Sequence, residues 1–322
     1  MRRPSLTAGN AETTRLFQMS TFVPGLAHTP ITPFTPELKI DFGLFEKVIE
    51  FHLRNGAEAL ALPMHAGESV SLSDAEQRTL LELTVNQVKG RVPVIAHVSD
   101  SGTAIAAARA RHAEQAGAAA IVATTPYYWT PPPAMVLEHF VQIGAAVSIP
   151  YFVHYAPDEM GGTKVGTDTV LKLIERLGNF AGVVDSSLDW QFMINIVSSA
   201  WRVRPDFQLL SGTEYMVSAG AVGATSLFSS LCSVAPQLVR ELYDICRTEK
   251  YQDARKAQED LAALRQIVKR AGAGGLKGAM RAMGRACGEP RPPLQPLGAG
   301  GYKTLAAELG ALAALRAEPR GW

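Results

Sequence analysis

Seven histidines stand in this sequence, and three of them, His65, His97 and His154, fall where short apolar runs give way to polar turns. Imidazole titrates nearest neutrality of all side chains, so this trio fits general acid–base chemistry. The same rings fit a second chemistry, a divalent metal with Glu214 or Asp185 as a further ligand and a metal-bound water as nucleophile. A third reading is packing, with the rings filling space or bonding to backbone carbonyls. Their spacing matches no local metal motif, so a divalent metal stays an open option and no cofactor is assigned. Other run ends carry Tyr128, Tyr155, Asp185, Ser186, Gly212, Glu214 and Thr225. Tyr128 suits proton relay or orientation of a substrate oxygen, and the rest suit substrate binding. Asp185 and Ser186 equally suit capping of the next helix. Glu68, after a glycine at a loop-to-helix junction, reads as loop bracing ahead of acid catalysis.

These residues need a scaffold that brings distant run ends together. Eight short apolar runs recur along the chain, at Leu26–Thr32, Ala57–Pro63, Pro93–Val98, Ala119–Thr124, Pro150–His154, Ala181–Val184, Gln208–Ser211 and Ala224–Leu227. Continuous apolar runs of this length are expected of parallel strands covered on both faces. Helical patterns alternate with them: Phe42–Arg54, Ser73–Lys89, Gly102–Ala116, Ala134–Ala145, Thr167–Leu177 and Gln191–Val203. Ser73 followed by Glu76 is a capping box that starts the second helix. The alternation predicts an α/β chain folded as a (β/α)8 TIM barrel with a C-terminal helical extension. We divide the chain into a polar N-terminal tail (1–20), the barrel (21–230) and a helical extension packed on it (231–322). The extension reads as helices over Pro236–Cys246, Tyr251–Ala271, Leu276–Ala286 and Lys303–Arg316, an appendix rather than a substrate domain. In such barrels chemistry gathers at the C-terminal ends of the strands. Alternation of faces turns His28 outward against a helix if Thr29 points in. His52, His112 and His139 lie on helical segments and are expected at solvent or an interface.

The composition removes several classes of function. Of 322 residues, 47% are apolar and 19% charged, and Lys+Arg 31 against Asp+Glu 30 leaves a net charge of +1. Nothing there predicts a nucleic-acid or membrane partner. Cys232, Cys246 and Cys287 are scattered, which argues against a disulfide framework and a thiolate zinc site. No apolar run approaches the roughly 18 residues of a transmembrane helix, and the start of the chain lacks a signal-peptide pattern. A cytoplasmic protein acting on a small molecule is expected.

Thr32-Pro33-Phe34, Gly67-Glu68-Ser69, Gly90 to Ala96, Thr125-Pro126-Tyr127-Tyr128, Pro157, Asp185-Ser186-Ser187 and Leu210-Ser211-Gly212, with Pro293-Leu294 and Pro296-Leu297, follow in a distinctive order. In them the chain resembles the dihydrodipicolinate synthase / N-acetylneuraminate lyase superfamily of Schiff-base aldolases, over roughly residues 24–315. The resemblance implies a lyase handling pyruvate or a 2-keto acid. It implies a Schiff-base lysine on the sixth strand, a proton-relaying tyrosine on the fifth, two threonines before the Gly-Glu pair that hold a carboxylate, and an arginine beyond the fifth strand. Here those positions carry Val184, His154 (followed by Tyr155 where an asparagine is implied), His65-Ala66 and Glu159. Valine has no amine, so an iminium cannot form there. Lys164 and Lys277 are the substitutes weighed, and neither is expected on a strand end facing the barrel axis. The resemblance also implies a homo-oligomer, a dimer or tetramer, with Tyr127 near an interface.

Two functions remain. One is a lyase, hydratase or isomerase of a small keto- or hydroxy-acid, with His154, His65 and Tyr128 handling protons and His97 assisting. The other is a non-catalytic ligand-binding or regulatory relative that keeps the pocket.

Overall fold

Eight parallel strands close on themselves in chain order: β1 (Leu26–His28), β2 (Ala59–Leu62), β3 (Val94–His97), β4 (Ala120–Thr124), β5 (Tyr151–Tyr155), β6 (Phe180–Asp185), β7 (Gln208–Ser211) and β8 (Ala224–Ser229). Strand β1 pairs with both β2 and β8, Leu26 opposite Leu227, so no open edge remains. The structure, a computed structural model, describes residues 22–158, 161 and 163–322. The polar tail expected over 1–20 and the Glu159 position lie outside the described residues.

Because side chains alternate across a strand, each β-run feeds two cores. One set points to the barrel axis: Ala27, Ala59, Ala61, Ile95, Ala120, Val122, Phe152, Val184, Leu210 and Phe228. Alanines on β1, β2 and β4 leave the room that Phe152 and Phe228 fill from the opposite strands. The other set meets the helices, in one continuous layer that includes Leu26, Leu60, Ile121, Val153, Val183 and Leu209. Gly182 of β6 shows how close the strands approach, since a Cβ there would lie 2.1 Å from the Gln208 carbonyl oxygen of β7.

The outer helices are α1 (Phe42–Arg54), α2 (Asp74–Val88), α3 (Thr103–Gln115), α4 (Pro133–Gly144), α5 (Thr167–Arg176), α6 (Trp190–Val203), α7 (Met216–Ala221) and α8 (Pro236–Cys246). The capping box is formed: Ser73 accepts from the Glu76 backbone N–H, and the Glu76 carboxylate accepts from that of Ser73. Three more helices follow, α9 (Arg255–Arg270), α10 (Gly275–Ala282) and α11 (Ala299–Ala311), the last trailed by a 3-10 turn over Ala313–Arg316.

Several expectations need correction. Helix α7 has only six residues, too short for a helical period to show. Strand β8 runs on to Ser229, past the Leu227 limit, because Ser226 and Ser229 are buried polar residues inside the barrel layer. Helix α11 begins earlier than Lys303, behind Gly300 and Gly301, whose low helix propensity hid its first turn. His52 and His139 are buried at 0% and 3% exposure rather than solvated. His52 Nδ1 lies 3.0 Å from His28 Nδ1, so the outward face of β1 meets α1 through two imidazoles. His139 Nδ1 lies 2.9 Å from the Thr103 hydroxyl, which ties α4 to α3. His112, expected at solvent or an interface, is partly exposed on α3, its Nε2 2.7 Å from Glu82.

Candidate functional site

A cavity of about 400 Å³ opens at the C-terminal ends of the strands, where barrels place their chemistry. Strand alternation decides what faces it. At the end of β1 His28 turns out while Thr29, the next residue, turns in, and at the end of β6 Val184 and the following Ser186 turn in while Asp185 between them turns away. Met64, Val184 and Phe228 make an apolar floor; His65, Ala66 and Glu68 line one side, and Gly212, Thr213, Ser230 and Leu231 another.

A hydrogen-bonded histidine and serine stand on this floor. His154, 6% exposed at the end of β5, places Nε2 2.9 Å from the Ser186 hydroxyl. In the sheet His154 is the register partner of Val184, so the imidazole and the valine are neighbours. Gly212 makes room for the pair: a Cβ there would lie 2.1 Å from Ser186 Oγ. His65 lines the same cavity from an exposed 3-10 turn after β2.

His97 takes a different place. Its Nε2 lies 2.7 Å from the Ser99 hydroxyl, which in turn accepts from the Thr124 backbone N–H. Burial, reinforced by the nearby His154, Arg109 and His65, holds its pKa down to about 3, so the ring is neutral at pH 7. His97 is not part of the cavity wall. Among the described residues, no three His, Cys, Asp or Glu side chains converge in a metal-holding group. The imidazoles of His65, His97 and His154 do not form such a group.

Other candidates separate in the same way. Asp185 is buried and accepts from the Ser187 backbone N–H and hydroxyl; burial raises its pKa to about 6. It lines a second cavity, of about 140 Å³, with Trp190, Met193, Ser211 and Tyr215. Tyr155 packs on Phe192 with ring centroids 4.4 Å apart, away from the floor. Glu214 is 2% exposed and holds the Ser229 hydroxyl at 2.6 Å and Arg265 at 2.7 Å, so it acts through Arg265, which lines the cavity. Thr225 is exposed at the start of β8, its carbonyl accepting from the Tyr243 hydroxyl. It is distant from the mouth because the strand end is four residues further on, at Ser229-Ser230. Tyr128 is 97% exposed, with φ 87°, on the loop between β4 and α4, and does not line the cavity. Tyr127 beside it is half-buried, its backbone N–H donating to the Ser101 hydroxyl at 3.2 Å.

The helical extension is more than an appendix. Arg265, Val268, Lys269, Gly272 and Ala273 of α9 and the turn after it, with Leu276 and Lys277 of α10, form the cavity's remaining wall. Lys277, weighed as off the barrel axis, thus reaches the cavity from a helix. It is 6% exposed, its Nζ 2.6 Å from Glu68 Oε1 and 4.2 Å from the centroid of the Phe34 ring. Burial lowers its pKa and the Glu68 carboxylate opposes that. Glu68 also accepts from the Arg291 backbone N–H at 2.9 Å, so it braces the loop, the extension and the wall at once. Sequence reasoning missed Arg265 and Lys269. The available signal was their i, i+4 spacing beside Gly272 and Ala273, which leave one face of the helix end unfilled.

Comparison with known proteins agrees with this geometry. The Dihydrodipicolinate synthetase family model matches residues 23–312. The 4-hydroxy-tetrahydrodipicolinate synthase of Methanopyrus kandleri is 33% identical over 284 residues, covering 87% of this chain and 91% of that protein. That of Bartonella bacilliformis is 33% identical over 272 residues, covering 83% and 90%. The crystal structure of dihydrodipicolinate synthase from Aquifex aeolicus superposes with a TM-score of 0.84 at 27% identity, over 89% of this chain and 97% of that one.

Proposed function

The chain belongs to the dihydrodipicolinate synthetase family, and from that premise we propose a cytoplasmic lyase-type enzyme that handles a small keto- or hydroxy-acid without a lysine Schiff base. The observation that carries the reading is the His154–Ser186 pair, 2.9 Å apart on the cavity floor and adjoining Val184. In this reading His154 Nε2 exchanges a proton with the substrate, removing one from the carbon beside a carbonyl or delivering one to a departing hydroxyl. Ser186 Oγ, hydrogen-bonded to that same nitrogen, is the group through which the proton passes between imidazole and substrate. His65, across the same cavity, handles the second proton. His97, neutral and outside the wall, acts by supporting β3 rather than by touching substrate.

The lysine-free part of the proposal has two supports. Val184 is fully buried on the floor and offers no amine. Lys277, which does reach the cavity, is engaged by Glu68 as an ammonium and so lacks the free lone pair a Schiff base requires. We also propose a homo-oligomer, a dimer or tetramer, with Tyr127 near the contact; the adjoining Tyr128 and Trp129 are 97% and 50% exposed.

Borohydride reduction with pyruvate, read by intact mass and peptide mapping, tests the chemistry. The expected result is no covalent adduct, and a pyruvyl-lysine at any position overturns the lysine-free reading. A turnover screen over 2-keto acids, hydroxy acids and their dehydration products tests the enzyme itself. Loss of a general acid–base should lower turnover about 10²- to 10⁴-fold in His154→Ala. Ligand binding with no turnover on any of them would favour the non-catalytic binder.

A further inference from the structure

Charge is unevenly spread around the cavity. The floor of Met64, Val184 and Phe228 carries none, whereas α9 and α10 present Arg265, Lys269 and Lys277 from the wall. Two of these cations are compensated, Lys277 by Glu68 at 2.6 Å and Arg265 by Glu214 at 2.7 Å. Lys269 is exposed on the last turn of α9, and the lysine ion pairs found among the described residues are those of Lys256 and Lys277, not its own. Arg265 uses Nη1 on Glu214 and on nothing else there, so other donors of its guanidinium remain available. Arg265 and Lys269 are four residues apart on α9 and therefore neighbours on one face. Gly272 and Ala273, just beyond, add no bulk that would close the space over that face.

We infer that Arg265 and Lys269 anchor the carboxylate of a monoanionic substrate, whose reacting carbon then points to His154 and Ser186. The inference rests on the acid-substrate reading above and adds two things to it, the orientation of the molecule and its charge. A carboxylate is matched by the one uncompensated charge and by the open edge of a guanidinium, a geometry that suits bidentate recognition. A second anionic group would find no further uncompensated Lys or Arg in the lining, since Lys277 is already paired with Glu68, and charge buried without a partner is disfavoured. The extension thereby becomes the specificity-determining part of the site.

Calorimetric titration with pyruvate, lactate and the neutral amide pyruvamide tests this, on the whole chain and on Lys269→Gln, Lys269→Arg and His154→Ala. Charge-assisted bonds of this kind correspond to about a 10- to 100-fold change in affinity. We expect the wild type to prefer pyruvate to pyruvamide by that factor, Lys269→Gln to lose the preference, and Lys269→Arg to keep it. His154→Ala should bind pyruvate as the wild type does but fail to turn substrate over. Equal binding of pyruvamide, or an undiminished preference in Lys269→Gln, overturns the anchor and leaves the His154 reading standing. Full turnover by His154→Ala with the anchor intact overturns the proposed function instead. A wild type with no affinity for pyruvate or lactate overturns both.

Discussion

Glu68→Gln is the most discriminating perturbation of this site, because it releases Lys277 while leaving Met64, Val184 and Phe228 of the floor unsubstituted. Both partners of the ion pair are buried, with only 7% of the Lys277 side chain and 6% of the Glu68 side chain exposed, and their charged atoms are 2.6 Å apart. Removing one partner of a buried pair leaves an uncompensated charge and costs about 3–5 kcal/mol. The Phe34 ring 4.2 Å from Nζ and the Glu289 carbonyl at 3.4 Å still face the ammonium and place the expected loss toward the lower end. Glutamine also keeps an oxygen for the Arg291 backbone N–H, so the loop itself should stay braced. We therefore expect Glu68→Gln to lose about 3 kcal/mol of stability. The double variant Glu68→Gln/Lys277→Met should recover most of that loss, since a neutral pair of similar volume carries no desolvation penalty. Urea denaturation at pH 7, followed by circular dichroism on all four members of the cycle, measures the coupling. A loss below about 1 kcal/mol in Glu68→Gln, or no recovery in the double variant, would refute the ion pair as the fixed state of Lys277. In that case the amine is free in the cavity and the lysine-free chemistry loses one of its supports.

Two further outcomes follow from the same geometry. Burial holds the pKa of His52 down to about 3 from 6.5, with the Arg285 charge adding to it. The unfolded chain therefore binds its proton first, and the stability contribution present above pH 6.5 is withdrawn as pH falls toward 3, by up to about 1.4 kcal/mol per unit. Urea midpoints between pH 7 and pH 5 should fall less steeply in His52→Gln than in the wild type; equal slopes would contradict a buried neutral imidazole. Gly212→Ala would push a Cβ to 2.1 Å from Ser186 Oγ and 3.0 Å from the Asp185 carbonyl oxygen. Driving Ser186 off His154 should lower turnover roughly 10- to 100-fold, with about 1–3 kcal/mol of stability lost to overpacking. Ser186→Ala should show the turnover loss without the overpacking, and unchanged turnover in both variants would remove Ser186 from the mechanism.

Much of this molecule is local, and local features are legible in a chain. The eight apolar runs, the Ser73–Glu76 capping box and the inward Thr29 beside an outward His28 depend only on periodicity and near-neighbour hydrogen bonding. Parallel pairing of β5 with β6 then brings His154 and Ser186 together from positions 32 residues apart, because both strands end on the same rim. Where a strand ends is less legible: Thr225 lies at the start of β8, which runs on to Ser229. Asp185 and Ser186 looked equivalent until alternation turned one away from the cavity and the other into it.

By itself, the sequence determined the (β/α)8 class, the apolar valine near the C-terminal end of the sixth strand and the histidine near that of the fifth. Those are properties of one strand at a time. Only the tertiary structure decided that His97 stands behind the wall, that Tyr128 is in solvent, and that α9 and α10 roof the cavity with Arg265, Lys269 and Lys277. The reason is physical. Which helix covers a barrel mouth, and which lysine there finds a carboxylate, depend on contacts such as Lys277 with Glu68 and Arg291 with Glu68, more than 200 residues apart in the chain. No pattern of neighbouring residues records such contacts.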